Sequence, residues 1–121
     1  METRILRPMA GDDRVDVLQG TLDMIVLQTL LTLGPSHGYA IAARLEQVSH
    51  GSLRLNMGTL YPALMRLEQR GLIRGKWVVT ENSRNARSYR LTAAGRRRLS
   101  TERDSWERMV SLIHLLLRGE G

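Results

Sequence analysis

The segment NMGTLYPALMRLEQRGL, Asn56–Leu72, carries two faces of different chemistry. Leu60, Leu64 and Leu67 fall within about 60° of one another on a helical wheel, so one stripe is built for burial. Gly58, Pro62, Met65 and Gln69 lie roughly opposite, with Thr59 and Arg66 at the edge. The outward face of a surface helix ordinarily carries Glu and Lys. This one carries small, hydrogen-bonding and guanidinium groups, which suit close approach to a partner. Asn56 is the expected cap and Gly71 the stop. Pro62 predicts an irregular first turn, or a regular helix starting nearer Thr59, because its ring clashes with the carbonyl four residues back.

Downstream, residues 72–80 read as a strand and Arg87–Leu91 as its returning partner. Between them Glu81-Asn82-Ser83-Arg84-Asn85-Ala86 has the composition of a turn, giving a β-hairpin with a polar, basic tip. Thr92 is the expected cap of a last helix running to about Leu117. Leu99, Trp106 and Ile113 recur at heptad spacing there, joined by Met109, Val110, Leu116 and Leu117. Such a helix, about 26 residues and about 39 Å long, is too long for a small domain to bury alone.

Upstream, Leu18, Leu22, Ile25, Val26, Leu30 and Leu33 follow helical spacing, and Leu27 and Leu31 widen the apolar surface. That helix is central in the fold or meets a second chain. Gly34-Pro35 ends it. Ser36 is the expected cap of a second helix with Ile41, Ala42, Leu45 and Val48 inward, and Leu53-Arg54-Leu55 reads as a minimal strand. Residues 1–15 read as a loose tail. The expected fold is therefore mainly α with a small β-hairpin. It is a winged helix-turn-helix domain over 16–91, followed by a long C-terminal dimerisation helix over 92–118.

Charge is distributed unevenly along the chain. Residues 1–55 sum to −1 and residues 56–121 to +7, with a local +8 within 66–98. A basic block beside a helix of this kind is the footprint of a polyanion-binding surface. Cysteine is absent, which excludes disulfides, thiolate metal sites and cysteine nucleophiles. His37, His50 and His114 show no metal spacing, and there is no phosphate-binding glycine loop or nucleophile elbow. The pattern points away from an enzyme and implies no cofactor or metal. No apolar run is long enough to cross a membrane or to serve as a signal peptide, so a cytoplasmic protein is expected.

On duplex DNA the third helix would lie in the major groove and the hairpin tip would reach the flanking backbone. Asn56, Gly58 and Pro62 would form the close-approach surface. Thr59 can bond a base edge or phosphate, Tyr61 a phosphate, Arg66 a guanine or phosphate, and Gln69 an adenine. Arg84, Asn85 and Arg87 would contact phosphate from the wing, and Lys76, with Arg74 and Arg90, would add attraction from its arms. Two other readings fit the same residues: an RNA- or ribosome-associated winged helix, and a protein-interaction adaptor working through the last helix.

The stretches LQGTLDMIVLQTLLTLGPSHGYAIAARLE, GTLYPALMRLEQRGLI and YRLTAAGRRRL resemble the PadR family of bacterial transcription regulators. The resemblance spans Leu18–Leu117. His37-Gly38-Tyr39, Gly58-Thr59-Leu60-Tyr61, and Tyr89-Arg90-Leu91-Thr92 with Gly95 stand in the family's order and spacing. A single helix after the wing is similar to the family's short branch. The wing, Ser83-Arg84-Asn85-Ala86-Arg87-Ser88-Tyr89, departs from the Gly-Arg-x-Arg-Lys tip of many members. The resemblance implies a homodimeric repressor on an inverted-repeat operator. Its interface would comprise Leu22, Ile25, Leu99, Trp106, Met109, Val110, Ile113, Leu116 and Leu117. Some members sense planar aromatic compounds at the dimer interface. Trp106 would be the residue to stack on one here, or else it packs the interface.

Overall fold

The computed structural model describes residues 19–119, so the tail over 1–15 and Leu18 lie outside the described residues. Its elements are α1 (Gln19–Leu33), β1 (Ser36–His37), α2 (Gly38–Val48), α3 (Met57–Gln69), β2 (Ile73–Val79), β3 (Asn85–Leu91) and α4 (Ala93–Leu117). The strands form one antiparallel sheet in the order β1-β3-β2. The core gathers Val26, Leu27 and Leu30 of α1, Ile41 of α2, Leu60, Leu64 and Leu67 of α3, Ile73 of β2, Tyr89 of β3 and Leu99 of α4. Each such side chain contributes about 1.5–3 kcal/mol through burial. Burial also pushes the Tyr89 phenol above its ordinary pKa, so it packs as a neutral group.

Several expectations change. The minimal strand is Ser36–His37, not Leu53–Leu55, which forms no strand. β1 pairs Ser36 with Tyr89 and His37 with Ser88, so the hairpin becomes a three-stranded sheet. Two residues give no alternation to read, which is why β1 escapes sequence inspection. Ser36 does not cap α2. Its hydroxyl turns back to the Gly34 carbonyl, and His37 holds the cap position without a side-chain bond. α3 begins at Met57 and runs through Pro62. The Asn56 carbonyl accepts from both Thr59 and Leu60 N–H, so the first turn is tight. Gly58 and Pro62 are both exposed, which leaves solvent to satisfy the carbonyl that proline cannot serve.

Leu22 and Leu99, expected at a dimer interface, are instead 5% and 2% exposed in the chain's own core. The first half of α4 packs on α1 and uses both positions internally. The start of α4 is fixed to the α3–β2 turn. Thr92 Oγ1 accepts from Gly95 N–H at 3.0 Å and donates to the Gly71 carbonyl at 2.7 Å. The Leu72 carbonyl accepts from Thr92 N–H, and a Cβ on Gly95 would stand 2.0 Å from that same oxygen. Only glycine lets helix and turn meet so closely.

Candidate nucleic-acid interface

Leu60, Ala63, Leu64 and Leu67 seat α3 in the core, and the opposite face is open. Gly58, Thr59, Tyr61, Pro62, Met65 and Gln69 are exposed along it. Asn56 is exposed too, but its side chain is occupied as the cap, accepting from Thr59 N–H at 2.9 Å. Asn56 Oδ1 would stand 3.1 Å from a Cβ on Gly58, so glycine eases the turn where the helix opens.

Arg66 is not an open guanine reader. Its Nη2 lies 3.3 Å from Asp23 Oδ1 on α1, and Arg70 Nη1 lies 3.5 Å from Asp23 Oδ2. Arg66 Nε is buried without a partner among the described residues, so the stem of the guanidinium is drawn inward. Asp23 is only 13% exposed, and it is the one charged residue in α1. A lone carboxylate in an apolar helix needs a cationic partner, and that was the signal available in the sequence.

Arg87 is likewise not at the wing tip. It lies within β3 opposite Trp77, with its guanidinium carbon 5.5 Å from the indole centre and 6.0 Å from the Tyr89 ring. Its Nη2 donates to Glu68 of α3, which also accepts Gly75 N–H at 3.2 Å. Its carbonyl accepts from His37 Nδ1 at 3.2 Å. A Cβ on Gly75 would come 2.7 Å from Arg87 Nε, so glycine leaves the space this side chain fills. Arg87 thus ties the wing to α3 and β1. Arg87→Ala should lower stability by about 1–2 kcal/mol, the combined scale of a partly exposed ion pair and a cation–π contact. Arg84→Ala, at an exposed position, should leave stability unchanged. Urea denaturation of the two variants checks this, and equal midpoints would remove Arg87 from the strut.

The free cations are elsewhere on the wing. Arg74 and Arg90 face each other across β2 and β3, and Lys76 is paired in register with Ser88 on the same face. None of these three forms an ion pair with a described acid. Like charges placed opposite one another cost stability unless an anion joins them. Arg84 and Asn85 are exposed at the tip, where Thr80 N–H bonds the Arg84 carbonyl at 2.8 Å and Ser83 takes a positive φ of 58°.

A second feature is an apolar cavity of about 520 Å³ between α1, α2 and α4, walled by Met24, Ile25, Leu45, Val48 and Trp106. Further along α4, Trp106, Met109, Ile113, Leu116 and Leu117 are exposed, and Val110 is partly so. Leu112 and Leu115, not anticipated from the heptad pattern, are exposed beside them, so the distal helix is apolar around most of its girth. Ile25 is half-buried on α1 and lines the cavity.

Among the described residues no helix is long and apolar enough to cross a membrane, and no cluster of acids or histidines could hold a metal.

A PadR-family transcriptional regulator from Eggerthella lenta is 34% identical, with a TM-score of 0.70 over 82% of this chain and 83% of that one. A transcriptional regulator from Clostridium thermocellum is 28% identical, with a TM-score of 0.72 over 79% and 92%. A transcriptional regulator of Mycobacterium tuberculosis is 39% identical over 65 residues, 54% of this chain and 60% of that protein. The model of the PadR-like transcriptional regulators matches residues 26–101, from the middle of α1 into α4. The family model covers more than half of the chain, and the chain belongs to the PadR-like family of transcriptional regulators.

Proposed function

We propose that this protein is a cytoplasmic, sequence-specific DNA-binding repressor that acts as a homodimer on an inverted-repeat operator. The observation that carries the proposal is the pairing of two surfaces. An uncharged, exposed α3 face of Gly58, Thr59, Pro62 and Gln69 stands beside a wing whose Arg74, Lys76, Arg84 and Arg90 have no acid among the described residues to neutralise them. A groove lined by base edges suits the first, and phosphates suit the second. Tyr61 and Asn85 stand where side chains can add backbone contacts. The exposed apolar distal part of α4, from Trp106 to Leu117, supports the dimer.

The test is fluorescence anisotropy with a duplex from the chain's own upstream region, beside a scrambled duplex, at two salt concentrations. A preference of about 10³-fold or more that survives added salt is expected. Equal and salt-sensitive binding to both would mean phosphate attraction alone. Tighter binding to RNA of the same sequence would favour the RNA-associated reading.

The cavity beside Trp106 supports a second element of the proposal, release by a small planar aromatic effector. Its size and apolar walls suit such a ligand, and an indole can stack on it. Titration of planar cations and phenolic acids into a Trp77→Phe variant reads Trp106 fluorescence alone. A saturable change is expected, and its absence across the panel would remove the effector.

A further inference from the structure

We infer that Met65 is a specificity-determining residue that reads a thymine 5-methyl group in the major groove, an inference resting on the DNA-binding proposal. Met65 is 58% exposed near the middle of the outward face of α3, diametrically across from the buried leucines. Pro62 and Gln69 lie one turn to either side of it on that face, and Gly58 lies on the same line. No charged side chain shares this strip. The arginine of α3 and the one that follows its last turn, Arg66 and Arg70, could have read guanine, but both are held at the edge by Asp23. What faces outward is a thioether, a proline ring, a threonine and an amide.

That chemistry discriminates in a definite direction. An apolar side chain pressed on a base edge gains by burying a methyl group, and thymine alone offers one in the major groove. Over cytosine the same side chain would cover an amino donor with nothing to accept from it. Gln69 adds an amide that matches adenine. The flexible, polarisable methionine adapts its shape to the base step it meets. The strip therefore selects A·T pairs, with Met65 on the thymine methyl.

The experiment uses the full chain and a duplex recovered by selection from a randomised library. Each thymine is replaced in turn by deoxyuridine, which removes only the 5-methyl group. Wild type should lose about fourfold in affinity at one thymine per half-site, the effect of one buried methyl. Met65→Ala, which lacks the contact in both subunits, should bind the unsubstituted duplex about as weakly as wild type binds the duplex with deoxyuridine at that thymine in both half-sites, about 16-fold below wild type, and should be indifferent to the substitution. Because the residue is exposed, the variant should keep the wild-type circular dichroism and melting temperature. If every thymine effect persists in Met65→Ala, or none is seen in wild type, Met65 is not the reader while DNA binding stands. If selection enriches no duplex, the DNA-binding proposal fails and this inference fails with it.

Discussion

Gly95→Ala should lower the melting temperature by roughly 10–20 °C, the largest effect expected of any single methyl group in this chain. The added Cβ would stand 2.0 Å from the Leu72 carbonyl oxygen and 2.8 Å from Leu91 Cδ1. Overpacking at a rigid site costs about 1–3 kcal/mol and occasionally more, and this site cannot relax cheaply. The Leu72 carbonyl is fixed by Thr92 N–H at 3.1 Å, and Leu72 N–H is fixed to the Leu67 carbonyl at 3.0 Å. Moving the oxygen aside would disturb the cap of α4 and the end of α3 together. Ser100→Ala, exposed on the same helix, is the control and should change little. Thermal denaturation followed by circular dichroism measures both. A Gly95→Ala variant melting within a few degrees of wild type would show that the helix can stand away from the turn.

The second large effect is expected at the other end of α4. Ile113→Glu combined with Leu116→Glu should convert the protein to a monomer at micromolar concentration. Both side chains are exposed in the single chain, at 42% and 60%, so the substitutions disturb nothing in the core. In a dimer they would put four carboxylates into an apolar seam without partners, an arrangement that cannot persist. Once the two subunits part, the half-sites are no longer bound together. Affinity for the full operator should fall by about 100-fold or more, while affinity for a single half-site stays as it was. Sedimentation velocity and anisotropy on full-site and half-site duplexes separate the two effects. A variant that still sediments as a dimer would move the interface away from this part of α4.

Much of the architecture is legible in the sequence because it rests on local rules. Asn56 and Thr92 cap α3 and α4 as their chemistry predicts, and Gly71 ends α3 with a φ of +75°. The leucine stripe of α3 is buried as its spacing requires. What was not legible depends on pairs distant in the chain. Asp23 and Arg66 are 43 residues apart, and Glu68 and Arg87 are 19 apart. Asp23 alone in an apolar helix signals that it needs a cation, but nothing local reveals which arginine meets it, or that Glu68 takes Arg87. Leu99 shows the same limit, since heptad spacing cannot say which half of a long helix packs on its own domain and which half faces outward.

The two residues of β1 reach the sheet only at Tyr89 and Ser88, near the base of the wing. At those two residues β3 is paired on both sides, and Glu68 and Arg87 fasten the same region to α3. Outward of it, from Trp77 to Arg87, the hairpin is a two-stranded ribbon closed by a five-residue loop. The wing is therefore a cantilever with a clamped root and a compliant outer span. Beyond the last cross-strand pair, Val79 with Asn85, the loop has the fewest backbone constraints, so the tip can adjust to a curved surface while the root keeps its angle to α3.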